Sequence, residues 1–128
     1  MIPGRSPSHP SFRRSFLFAL QGFRTALRQE RNIKVMLAGG AFAVAMGVIL
    51  RIDAVSWAVV LVCCGMVIAA ELLNTAIETV VDLVSPEFHP LAGQAKDIAA
   101  AASWVLSLTA AVVGVIVYAN ALVRLLAG

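Results

Sequence analysis

The sequence predicts an all-α membrane protein: an amphipathic interfacial helix followed by three transmembrane helices. Three observations carry that expectation. Of 128 residues 60% are hydrophobic and only 13% are charged, the mean hydropathy is +0.89, and the apolar residues gather into three long uncharged runs. A soluble fold of this size needs more polar surface than ten basic and seven acidic side chains cover. The same composition excludes a disordered chain, a collagen, a coiled coil and a disulfide scaffold. Cys63 and Cys64 are adjacent inside an apolar run, which suits neither a disulfide framework nor a zinc site.

The first element is a tail. Pro3, Gly4, Ser6, Pro7, Ser8 and Pro10 mark residues 1–11 as disordered. Over residues 12–33 the pattern turns helical: Phe12, Phe16, Ala19, Leu20, Phe23 and Leu27 fall within one arc, and Arg13, Arg14, Arg24, Arg28 and Arg31 on an adjoining one. Such a helix lies in the membrane interface. Seven of the ten basic residues precede position 35. Attraction to anionic lipid explains them better than a nucleic-acid partner, which is not expected, because spans follow directly and no nucleic-acid motif is present.

Residues 34–128 form the three-helix transmembrane domain. Its uncharged runs are Val35 to Leu50, Ala54 to Ala70 and Ile98 to Val123. A hydrocarbon core of about 30 Å needs about 20 helical residues, so the first two helices should run past their charged ends. Three spans put the termini on opposite sides, and the basic N-terminus then belongs in the cytoplasm. The expectation is a multi-pass protein of the cell (plasma) membrane, with Arg51-Ile52-Asp53 a tight outer turn, Ser85 to Asp97 on the cytoplasmic side and the C-terminus outside. Gly39, Ala43 and Gly47 in the first span, and Ala95, Ala99, Ser103, Ser107 and Ala111 through the third, recur every four residues. These small faces permit close helix approach and, with so little area to bury in one chain, favour a homo-oligomer.

The chemistry is concentrated in the second span, which continues from Glu71 through Asn74, Thr75, Glu78 and Asp82 without a breaker until Ser85-Pro86. Relative to Glu71, the other four fall between about −60° and about +40° around the helix. Three carboxylates and an amide on one stripe are costly facing lipid, so they face a polar cavity or a protein interface. For Asp82 alone a solvated helix end would be explanation enough. Glu71 resists it because it abuts the apolar run. Glu71 lies about 26 Å beyond the outer turn, at lipid-headgroup depth, and Glu78 about 10 Å further along the axis. That spacing suits a base, a lipid hydroxyl, a phosphoryl group, Mg²⁺ and a carboxylate ligand placed in sequence.

The stripe Glu71-x-x-Asn74-Thr75-Ala76-Ile77-Glu78-x-x-Val81-Asp82, followed by Lys96-Asp97, closely resembles the signature of the prokaryotic diacylglycerol kinase family of small integral-membrane lipid kinases. Gly22, Glu30 and Glu87-Phe88-His89 also stand at family positions, and the resemblance covers residues 12 to 123. It implies a homotrimer that uses ATP and Mg²⁺, with active sites shared between subunits at the cytoplasmic interface. Residue by residue, it implies that Glu71 accepts the proton of the lipid hydroxyl and that Glu30 and Glu78 bind magnesium. Asn74 and Asp82 would orient the site, and Glu87, Phe88, His89, Lys96 and Asp97 would hold the nucleotide together with Glu30 and Glu78. Phe18 and Phe88 stand where the family often has tyrosine, Gln94 where an arginine can occur, and Ala101 to Trp104 where a glycine-containing stretch is common.

Glu30-Arg31-Asn32 is similar to the Gram-positive branch, whose members act mainly on undecaprenol, so undecaprenol is the expected lipid and diacylglycerol the alternative. A non-enzymatic subunit or channel with a carboxylate-lined pore is the rival of another class. Against it, the acidic residues other than Asp53 gather at one face of the membrane, and the first and third spans carry no intramembrane charge.

Overall fold

The computed structural model describes residues 11–128, and the disordered tail expected over residues 1–11 lies outside them apart from Ser11. Four helices follow in order: α1 (Phe12–Gln29), α2 (Arg31–Ile49), α3 (Ala54–Val84) and α4 (Pro90–Ala127). Three of them start on a side-chain cap. Ser11 Oγ accepts from the Arg14 amide at 3.4 Å, Asp53 Oδ1 from the Ser56 amide at 2.8 Å and His89 Nδ1 from the Leu91 amide at 3.1 Å. Pro90 occupies the first turn of α4, where its missing N–H costs nothing.

Two boundaries differ from those the apolar pattern suggests. The interfacial helix ends at Gln29, not at residue 33, because Glu30 is extended (φ −118°, ψ 120°) and α2 restarts at Arg31. The amphipathic pattern runs across this break because it records which face is apolar and not whether the backbone bends. At the other boundary, the third uncharged run begins only at Ile98, yet α4 already starts at Pro90 and only Ser85–His89 is non-helical. Lys96 and Asp97 interrupt the hydropathy but not the helix, and both lie inside α4.

At about 1.5 Å per residue, α2 is about 28 Å long, α3 about 46 Å and α4 about 57 Å. All three are long and apolar enough to cross a membrane. Their outward faces carry exposed large apolar residues along the whole length, among them Val48, Leu61, Leu73, Leu108 and Ile116. Such a surface belongs in lipid, and the chain is a multi-pass membrane protein.

α3 and α4 form the main antiparallel pair, with α2 against α3 and α1 against α2 and α3. Cross-links at several levels fix the register: Asp82 with Lys96, Glu71 with Ser103, and Asp53 with Arg124 at 4.0 Å. The core proper sits near the α2–α3 turn, where Ile52, Val60 and Ala121 are buried against Ala43, Trp57 and Tyr118. There the Tyr118 hydroxyl donates to the Ala43 carbonyl at 2.6 Å and ties α4 to α2. Arg51 takes the left-handed conformation (φ 53°) that closes the turn and lets Ile52 tuck inward. The Ser56 hydroxyl and amide hold the Asp53 carboxyl below its usual pKa, with Arg124 adding to the effect.

Candidate active site

The polar stripe of α3 lies at the end of the bundle where α1 joins and α4 begins. Its residues form a gradient of burial: Glu71 is 3% exposed, Asn74 and Thr75 are buried, Glu78 is half-buried and Asp82 exposed. The gradient follows from the spacing, since steps of three and four keep all five on one side of the helix, with Glu71 and Asp82 meeting α4 and Thr75 bordering the α1 groove, while the helix climbs out of the apolar layer.

At the deep end, Ser103 of α4 donates its hydroxyl proton to Glu71 Oε2 at 2.8 Å, and the serine is itself buried. One turn along, Asn74 donates through Nδ2 to Glu78 Oε1 at 3.4 Å. Asn74 Oδ1 is buried and meets no donor among the described residues. A buried carbonyl oxygen left in that condition costs free energy unless something else supplies a donor. Glu71 and Asn74 line a pocket of about 230 Å³, with Asn32 and Met36 of α2 and Ser103 and Trp104 of α4 among its other walls. Thr75 and Thr79 return their hydroxyls to carbonyls one turn back, Thr75 to that of Glu71 itself at 2.9 Å. The pocket therefore holds an unpaired acceptor, Asn74 Oδ1, and the Glu71 carboxylate beside side chains that can also donate, those of Asn32, Trp104 and Ser107.

At the exposed end, Asp82 is ion-paired with Lys96. A solvent-facing pair of this kind is weak and salt-sensitive, so the ammonium can exchange partners for a phosphate. Asp97 follows on α4 and is exposed. Glu87, Phe88 and His89 lie in and at the end of the short α3–α4 connection. His89 has its Nδ1 committed as the cap of α4, and Phe88 is 93% exposed. Glu30 sits half-buried at the α1–α2 break and makes no side-chain cap bond.

Of the residues singled out from the sequence, the structure joins Asn74 to Glu78 and Asp82 to Lys96. It forms no hydrogen bond from the side chains of Glu30, Glu87, Phe88 or Asp97 to that group among the described residues. Nor do three or more His, Cys, Asp or Glu side chains come together as a metal cluster among them. Phe18 and Gly22 line a wider groove between α1 and α3. Ser103, Asn32 and Trp104 are the site residues that pattern reasoning left out of the site. Ser103 had one signal: a hydroxyl in the middle of a stripe of small residues that packs on α3.

The chain is similar to known proteins over most of its length. The chain is 34% identical over 107 residues to the undecaprenol kinase of Bacillus subtilis, covering 84% of this chain and 87% of that one. It is 36% identical over 106 residues to a diacylglycerol kinase of Synechocystis, covering 82% and 61%. To the diacylglycerol kinase of Escherichia coli K12 it is 30% identical over 95 residues, covering 74% and 78%. Residues 17–118 match the family described as prokaryotic diacylglycerol kinase. With the acidic stripe, the α3–α4 pair and three membrane-crossing helices in place, the chain belongs to the prokaryotic diacylglycerol kinase family and is a membrane lipid kinase.

Proposed function

We propose that this kinase transfers the terminal phosphoryl group of ATP to undecaprenol, giving undecaprenyl phosphate, on the cytoplasmic side of the cell membrane. The observation that carries the reading is Glu71: a carboxylate 3% exposed, at the edge of the apolar layer, lining a pocket beside the unpaired Asn74 Oδ1. Glu71 takes the proton of the lipid hydroxyl as the lipid oxygen bonds to the γ-phosphorus and the bond to the departing ADP oxygen breaks. A positioned base of this kind is worth about 10²- to 10⁴-fold in rate.

Glu30 and Glu78 would hold the magnesium ion, since magnesium is bound through one or two protein carboxylates. Glu30 has no capping duty, and Glu78 receives only one long hydrogen bond, from Asn74. Magnesium neutralises phosphate charge when bound. Around it, Asn74 orients Glu78, and Lys96 moves from Asp82 to phosphate. The exposed Phe88 ring and the polar side chains of Glu87, His89 and Asp97 receive the nucleotide. The working unit is a homotrimer, in which neighbouring copies shield the polar stripe from lipid.

One observation favours undecaprenol over diacylglycerol: the similar Bacillus protein is an undecaprenol kinase, matched over 87% of its length. The test is transfer of labelled phosphate from ATP by purified protein to undecaprenol and diacylglycerol presented side by side. Undecaprenol should be the faster acceptor; preference for diacylglycerol reverses the lipid assignment, and no transfer to either removes the reading.

A further inference from the structure

We infer that Ser103 is a positioning residue for Glu71, holding one carboxylate oxygen so that the other is presented to the lipid hydroxyl. The inference rests on the assignment of Glu71 as the base.

Ser103 and Glu71 lie 32 residues apart on separate helices, and their side chains meet at 2.8 Å with both residues buried. A hydrogen bond to an ionised carboxylate is short and about twice as strong as one between neutral groups. At this depth no other side-chain donor reaches the Glu71 carboxylate among the described residues. A glutamate has three rotatable bonds, so a base held by its backbone alone would sample several positions in a pocket of about 230 Å³. The serine selects among them. With Oε2 engaged by a donor, the proton from the substrate has Oε1 as its destination. Approach through a fixed oxygen is the kind of pre-orientation that raises turnover and leaves substrate affinity unchanged.

Packing does not account for the serine. Its stripe on α4 continues as Ala95 and Ala99 on one side and Ala111 on the other. Alanine fits such a face, favours the helix more and buries no polar atom. What the hydroxyl adds is the bond to Glu71. The Oγ of Ser107, one turn further from the polar end, makes no such bond among the described residues.

The experiment compares Ser103→Ala, Ser103→Thr and Ser103→Val with wild type in the full-length protein reconstituted in lipid. Ala should lower kcat about 10- to 100-fold, the range for a lost bond to a charged group, and leave KM for lipid and MgATP within about twofold. Thr should restore most of kcat, whereas Val, equal to it in shape and lacking the hydroxyl, should stay with Ala. Full turnover in Ala, equal turnover in Thr and Val, or a rise in KM with kcat intact would each overturn the inference. Glu71→Gln measured in parallel separates the two levels. If it is inactive while Ser103→Ala is fully active, only the role of Ser103 fails; if it turns over normally, the base assignment fails and the inference with it.

Discussion

The two ends of the α3–α4 pair solve opposite problems. Near the α2–α3 turn, the buried residues are Ile52, Val60 and Ala121, and polar groups are few and paired: Tyr118 with the Ala43 carbonyl, Asp53 with its own helix start and Arg124. Near α1, Glu71, Asn74, Thr75 and Ser103 are buried along with Ala26, Ile33 and Ala99, one carbonyl oxygen has no donor among the described residues, and a pocket opens beside them. The first end leaves no buried polar side-chain atom unpaired among the described residues, and the cavity of about 440 Å³ that reaches Val60 and Tyr118 is lined mostly by apolar groups; the second keeps an acceptor waiting for a ligand. The core and the polar site are thus lodged about 16 to 27 Å apart along the same two helices, which lets substitutions at one end leave the other unchanged.

The sharpest way to break this division is Glu71→Gln. The amide keeps the shape and can still accept from Ser103, so the protein should fold and unfold as wild type while lipid phosphorylation falls about 10²- to 10⁴-fold. Turnover retained at saturating lipid would place the base elsewhere. Next in size, Glu30→Ala and Glu78→Ala should each raise the magnesium concentration needed for half-maximal activity and weaken MgATP binding, with lipid KM little changed. A magnesium titration that superimposes on wild type would argue against both as ligands. At the opposite end, a Cβ on Gly47 would come within 2.8 Å of the Trp57 ring and 3.0 Å of Ile52. Gly47→Leu should therefore cost about 1–3 kcal/mol by overpacking, read as a lower unfolding temperature, with kcat per folded molecule preserved. Smallest of all, Tyr118→Phe removes one partly buried hydrogen bond, worth about 1 kcal/mol, and should lower thermal stability slightly with no kinetic consequence. A large loss of kcat in either of the last two would show that the ends are coupled.

Much of this division could be read from the residues. The uncharged runs and their charged brackets mark three spans, and the unbroken path from Ala54 to Ser85 says that α3 carries its acidic stripe as helix. The spacing of Glu71, Asn74, Glu78 and Asp82 puts them on one side, and the structure buries that side in the order of depth expected. What pattern could not reach was of two kinds. Backbone breaks that leave periodicity intact are invisible to it, as at Glu30, and so are helices that begin inside a polar stretch, as α4 does at Pro90 behind its His89 cap. Pairings between helices are the other kind. Asp82 with Lys96 and Glu71 with Ser103 depend on the register of α3 against α4, which side-chain packing sets and no local pattern records.

The turn at Arg51 to Asp53 has a consequence for the host membrane. It fixes the start of α3, and Glu71 follows seventeen helical steps beyond Ala54, a rigid rod of about 26 Å with one end moored at the turn. α2, at 19 residues, runs beside it with little length to spare. A bilayer thicker than this rod would draw Glu71 down among acyl chains, and one much thinner would lift it into water, with tilt absorbing a few ångströms of either. Hydrophobic thickness therefore acts as a gauge on the depth of Glu71, and lipids of different acyl length should retune one and the same enzyme without touching a residue of it.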